Sequence, residues 1–203
     1  FLIEIKNFLT QKECNQFKQI LDYDPTKKKI KKGKCTEYFR VLWKNKRLAN
    51  RLFERIKPHL PNDNVNYVGC NPMFRIAKYQ EGGQFEIHMD GVNKDDNGNV
   101  STLTLNIFLN DNFDGGETDF FYEKKLRCSV KPETGKAALF EHKQYHCGNK
   151  VSNGEKYLLR TDIMTSVKNK KIKILLKTPS TFIPKGVYKA PTVCRIYPQT
   201  PKC

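Results

Sequence analysis

His88-Met89-Asp90 sets an imidazole and a carboxylate two residues apart. Side chains alternate along a strand, so positions i and i+2 share a face and both groups would reach one cation. A third ligand would have to come from the remaining histidines, His59, His142 and His146. Two imidazoles and one carboxylate leave adjacent positions open on a metal, a donor set that suits non-haem ferrous iron. Taken alone the pair is a weak signal, because a lone histidine is more often a structural residue. The pattern by itself does not choose the third ligand.

The elements that would position these groups change character along the chain. Residues 1–10 begin apolar and alternating (Phe1, Ile3, Ile5), and Thr10 with Glu13 is a capping-box signature. The helix it opens presents Cys14, Phe17, Ile20 and Leu21 on one face and should end near Asp24-Pro25. Leu48, Leu52 and Ile56 recur every four residues, which predicts a second helix over about 46–57, stopped by Pro58 and Pro61. From Met73 the pattern turns to short strands at 74–79, 85–89, 103–109, 118–122, 126–130, 136–140 and 157–165, with a polar loop at 90–100. A helical start followed by regularly spaced strands predicts a mainly β domain, a sandwich or a barrel. No glycine-rich nucleotide motif accompanies it. Residues 167–203 change again, to a basic, proline-containing C-terminal arm with one candidate strand at 172–176.

The 203 residues suit a single domain with a tail, long enough to bury a core without disulfides. Net charge is +16, and the 37 basic residues are 29 Lys and 8 Arg. Many cluster at 27–34 and 168–173 without interleaved aromatics, which fits a solvated basic face better than base recognition. An acidic partner is the rival reading. Lysine- and asparagine-rich usage also matches an AT-rich genome, such as that of a large DNA virus or some protists. Seven cysteines form no CxxC pair, so a zinc finger is excluded, and reduced buried thiols are expected with Cys194–Cys203 the first pairing to check. No apolar run approaches the roughly 18–20 residues of a membrane span. The chain opens on Phe1, so the reading leaves room for a trimmed targeting segment; cytoplasm and endoplasmic reticulum lumen of a host cell both fit.

Around the HxD pair the motifs become specific. Ile76-Ala77-Lys78-Tyr79, the Gly82-Gly83-Gln84-Phe85 turn and His88-Met89-Asp90 are followed by an apolar strand at 104–110 and by Gly115-Gly116-Glu117-Thr118-Asp119-Phe120. Pro132, Gly135 and Ala138-Leu139-Phe140 then lead into His146, Val151-Ser152-Asn153-Gly154 and Lys156. Asn7-Phe8-Leu9-Thr10 with Glu13-Cys14 fits the usual entry of the same domains. This ordered set, spanning residues 1–166, resembles the 2-oxoglutarate- and Fe(II)-dependent dioxygenases in their prolyl 4-hydroxylase branch.

The resemblance implies a double-stranded β-helix (jelly roll), with helical support at 1–72 and the jelly-roll core at 73–166. It implies His88, Asp90 and His146 as metal ligands, with His142 a core or second-layer histidine. Fe(II), 2-oxoglutarate and O2 follow as cofactor and cosubstrates, and ascorbate as a supporting reductant. Lys156, ten residues after His146, is implied as the partner of the 2-oxoglutarate C5 carboxylate. Arg160 is its rival, since it shares a strand face with Lys156 and an arginine pairs bidentately. Tyr79 is expected to donate to the cosubstrate. Phe108 departs from the family, whose members often carry a second tyrosine there; Asn106 and Thr104, on the same face, are the expected polar substitutes. Trp43 and Arg40 read as core packing and surface charge, with the substrate groove as their alternative.

The activity implied is hydroxylation of a protein substrate at C4 of a peptidyl proline, as in procollagen-proline 4-dioxygenases, with 2-oxoglutarate decarboxylated to succinate. Two alternatives are carried: a nucleic-acid hydroxylase or demethylase of the same cofactor class, prompted by the charge, and a non-catalytic interaction scaffold.

Overall fold

The computed structural model describes residues 1–31 and 36–167. The candidate strand at 172–176, the Cys194–Cys203 pairing and the basic run at 168–173 lie outside these residues. After β1 (Leu2–Ile5), the predicted first helix forms as α1 (Gln11–Tyr23). The capping box is complete: the Thr10 hydroxyl accepts from the Glu13 N–H, and the Glu13 carboxylate accepts from the Thr10 N–H. The second helix, α2 (Lys46–Ile56), buries Leu48, Leu52 and Ile56 and passes into a 3-10 turn at Lys57–His59. Arg55 near its end forks onto the Glu13 carboxylate, with N···O distances of 3.0 and 2.9 Å, and clamps the two helices together.

The first 72 residues are not only helical, as the sequence suggested. They also supply β1, β2 (Lys28–Ile30), β3 (Tyr38–Lys44) and β4 (Tyr67–Cys70). These join β5 (Met73–Tyr79), β7 (Val100–Phe108), β11 (Ala137–Glu141) and β14 (Lys156–Thr165) in one antiparallel sheet. Its order is β1-β11-β7-β14-β5-β3-β2, and β4 pairs with β14. A second sheet runs β10 (Lys125–Val130), β9 (Thr118–Tyr122), β12 (Tyr145–Gly148), β6 (Phe85–His88), and β8 (Asp114–Gly115) pairs with β13 (Val151–Asn153). Two facing antiparallel sheets with the helices outside form the expected jelly roll.

Strand alternation divides the large sheet into two chemistries. One face sends Phe74, Ile76, Leu103, Leu105, Ile107, Leu139, Leu159 and Ile163 into a single apolar core with Phe17, Leu21, Leu52 and Ile56 of the helices. Trp43 packs there against Phe17 and Phe74, so its packing reading holds. The other face looks toward the four-stranded sheet and carries the polar residues. Along β14, Lys156 pairs with Tyr79, Arg160 with Asn106 and Arg75, and Asp162 with Thr104. Cys14, Cys70 and Cys147 are buried free thiols, whereas Cys128 is disulfide-bonded. Among the described residues no helix is long and apolar enough to cross a membrane.

Candidate metal centre

β6 ends at His88, and the antiparallel register sets His88 directly opposite His146 on β12. Side chains facing each other across such a pair share a face, and the two ring centroids lie 4.3 Å apart. Each ring is oriented by its own strand. His88 Nδ1 is 2.7 Å from the Glu86 carbonyl oxygen, and His146 Nδ1 is 2.9 Å from that of Gln144. A carbonyl only accepts, so Nδ1 carries the proton in both rings and the Nε2 lone pairs are aimed elsewhere. They converge on Asp90: His88 Nε2 lies 3.7 Å from Oδ1 and His146 Nε2 3.7 Å from Oδ2. The three candidate ligand atoms all fall within 4.8 Å of one another.

Asp90 is not placed by strand alternation, because β6 stops two residues earlier. Its N–H donates to the His142 carbonyl at 2.8 Å, and its carboxylate is held from the large sheet. The Thr104 hydroxyl donates to Oδ2 and Arg160 Nη1 to Oδ1. Burial opposes the charged form of this carboxyl, but Arg160, then His146 and the Thr104 hydroxyl, outweigh it and keep it below its ordinary range. Burial pushes both histidines down, His146 to about 4, which leaves neutral imidazoles with free lone pairs. Phe120 and Phe140 pack on the His146 ring, with centroids at 5.8 and 4.7 Å, and shield it from water.

Lys156 opens β14 and is 4% exposed. Its Nζ donates to the Gly116 carbonyl at 2.6 Å and lies 5.6 Å from the Phe108 ring centroid and 5.9 Å from that of Tyr79. No carboxylate pairs with it among the described residues. Burial pushes its amine down to about 8, against the opposing charges of Glu117 and Cys147. Tyr79 stacks on Tyr38 at 4.9 Å. Asn106 is buried, and its Oδ1 has no hydrogen-bond partner among the described residues. Arg160, the rival anchor, is committed to Asp90 and, through Nη2 at 3.3 Å, to Asp162. Thr104, expected to substitute at the cosubstrate, is instead occupied by Asp90.

Residues 74–161 match the model of the 2OG-Fe(II) oxygenase superfamily. The match covers the strands that carry the triad and somewhat less than half of the chain. None of the curated proteins matches the sequence. Among solved structures, the chain is similar to the viral collagen prolyl hydroxylase of Paramecium bursaria Chlorella virus-1, solved with 2OG. That pair has 18% identity and TM-score 0.56, covering 82% of this chain and 96% of the other. A Trichoplax adhaerens prolyl hydroxylase, bound to a hypoxia-inducible-factor oxygen degradation domain peptide fragment, gives 16% and 0.62, with 87% of each chain covered. A Pseudomonas putida prolyl-4-hydroxylase gives 14% and 0.61, covering 80% of this chain and 91% of that one. At these identities the likeness is one of fold.

The donor set fits the Fe(II) named in the matched superfamily: two neutral Nε2 atoms and one carboxylate. His142 stands behind the site, with its Nε2 3.6 Å from Asp162, and His59 is in the 3-10 turn; neither joins the triad. Sequence reasoning overlooked Arg75, Asn93 and Asp162, which surround Arg160. The signal was present for one of them: Asp162 continues the Lys156, Arg160 alternation along β14.

Proposed function

We propose that the chain is a 2OG-Fe(II) oxygenase that hydroxylates C4 of a proline in a protein or peptide substrate. His88, Asp90 and His146 would hold the iron, and Lys156 the C5 carboxylate of 2-oxoglutarate, with the Tyr79 hydroxyl beside it. When bound, iron, 2-oxoglutarate and O2 supply an oxidant able to hydroxylate an unactivated C–H bond, with succinate and CO2 as coproducts. The chain's own part is positional. The Glu86 and Gln144 carbonyls fix the imidazole tautomers, Thr104 and Arg160 fix the carboxylate, and Phe120 and Phe140 exclude water from one side.

The observation that carries this reading is the pairing of the triad with a buried Lys156 on the facing sheet, which no carboxylate hydrogen-bonds among the described residues. A buried ammonium without a counter-ion costs several kcal/mol, and a cosubstrate carboxylate removes that cost. The prolyl substrate is supported by the fold likeness to prolyl hydroxylases, one of them holding a peptide. Ascorbate as supporting reductant belongs to the same proposal.

The test supplies Fe(II), 2-oxoglutarate, O2 and ascorbate with proline peptides, lysine peptides and oligonucleotides. Succinate and one added oxygen on the substrate are read by mass. Oxygen on a proline peptide is the expected result. Oxygen on an oligonucleotide would replace the substrate class, and no succinate with any substrate would remove the activity.

A further inference from the structure

Arg75 on β5 and Arg160 on β14 stand opposite each other on the inner face, two like charges in direct register. Like charges so placed repel unless an anion lies between them. Asp162, fully buried, is that anion: Arg75 Nη1 donates to its Oδ2 at 3.1 Å and Arg160 Nη2 to its Oδ1 at 3.3 Å. Asn93 donates to Oδ2 at 2.8 Å and accepts from Arg75 Nη2 at 3.4 Å. Each Nη of both guanidiniums thus has one N–H engaged, which fixes the two planes and leaves each Nη a second N–H. The two side chains are not sealed from solvent, since Arg75 and Arg160 keep 23% and 20% of their exposure. Beyond Arg75 the sheet continues to Leu42, which is 52% exposed, so the row opens to solvent on that side. The Lys156 end is closed.

The anions around the row are shared. Arg75 and Arg160 divide one carboxylate, Asp162, between them, and the second carboxylate beside Arg160 is Asp90 of the triad. Asp90 would serve both the metal and Arg160. Two buried polar atoms beside the row also lack partners among the described residues: Arg160 Nε and, directly across on β7, Asn106 Oδ1. A buried polar group left unpaired costs about 1–3 kcal/mol, so both point to a ligand.

We propose that Arg75 and Arg160 form a carboxylate-binding subsite at the mouth of the metal centre, and that the substrate is an acidic peptide. This rests on the peptide hydroxylase reading above. A planar guanidinium pair suits a carboxylate better than any neutral group, and the overall charge of +16 draws acidic chains toward the mouth. The carboxylate comes from an Asp or Glu side chain near the target residue or from a peptide's free C-terminus.

The full chain, loaded with Mn(II) and 2-oxoglutarate, is titrated with labelled peptides and followed by fluorescence anisotropy. Three peptides share a central proline: one flanked by Asp with amidated end, one with Asn at the same positions, and one with Asn flanks and a free carboxyl terminus beside the proline. The Asp peptide should bind about tenfold tighter than its Asn counterpart, and Arg75→Gln should bring that ratio close to one. Arg75→Lys should restore part of it. A preference for the free terminus alone assigns the carboxylate to a chain end. Equal affinity of all three, no binding by any, or a ratio that survives Arg75→Gln overturns the subsite. Should Arg75→Gln not fold, the wild-type comparison still decides. Succinate release is assayed separately: its absence sinks the oxygenase reading, whereas equal hydroxylation of acidic and neutral peptides sinks only the subsite.

Discussion

An ammonium taken out of water with no carboxylate in salt-bridge contact lowers stability, and among the described residues Lys156 is such a group. Lys156→Met should therefore leave the thermal stability of the unliganded protein unchanged or raised. The same change should weaken 2-oxoglutarate binding, measured calorimetrically with Mn(II) present, by roughly 1.5–3 kcal/mol. A purely structural lysine would give the opposite pair of results. The pH dependence carries the same signature. Burial lowers the amine from 10.5 to about 8, so between those values the unfolded chain holds the proton that the folded chain has lost. The unfolded state then binds more protons, and unliganded stability climbs as pH rises from about 8 to 10.5. Cosubstrate affinity runs the other way, flat below about pH 8 and falling above it as the charge disappears. Denaturant melts and titrations across that window, repeated on Lys156→Met, should lose both slopes.

At the scale of elements, the turn before β9 governs Lys156 from across the barrel. Gly116 has φ +67, and a Cβ there would lie 2.8 Å from Phe113 Cε2 and 3.2 Å from Lys156 Cδ. Gly116→Ala should cost about 1–2 kcal/mol in backbone strain and weaken 2-oxoglutarate binding while leaving Mn(II) affinity near wild type; parallel titrations of the two ligands check this. Such coupling was not legible in the sequence, whereas much of the frame was. α1 and α2 were readable because caps and four-residue spacing are local signals. The seven predicted strands were readable because alternation against a core is local too. β2, β3, β4 and β12 were not. β2 is a lysine run that looks like solvated charge, β3 runs straight into α2, and β12 is four residues whose partners β6 and β9 are remote in sequence. His146 was thus recognised by family spacing and not by periodicity. Its position opposite His88 is a matter of register, which only long-range pairing sets. The role of Thr104 was missed for a related reason: facing inward was predictable, but which inward group it would meet depended on where the loop after β6 returns.

Across the whole molecule, the metal would act as a cross-link. Among the described residues β6 is an edge strand whose only sheet partner is β12. His88 and Asp90 lie at its end, His146 is on β12, and Asp90 reaches the large sheet through Thr104 and Arg160. A bound cation thus joins both sheets, and a ligand at 100 times its Kd stabilises the folded state by about 2.7 kcal/mol. For a domain of this size that is a melting-temperature rise of about 5–11 °C. Mn(II) should produce it in the wild type, EDTA should reverse it, and His146→Ala should remove it without lowering the metal-free melting temperature by a similar amount. Ionic strength separates this from nonspecific binding. A net charge of +16 repels a cation at long range, and salt screens that repulsion. Mn(II) affinity should hold or tighten between low and physiological salt, while the 2-oxoglutarate dianion, drawn by the same field, should bind more weakly. If both ligands weakened together, the cation would be sitting on exposed carboxylates that salt screens, and the buried triad would not be its site.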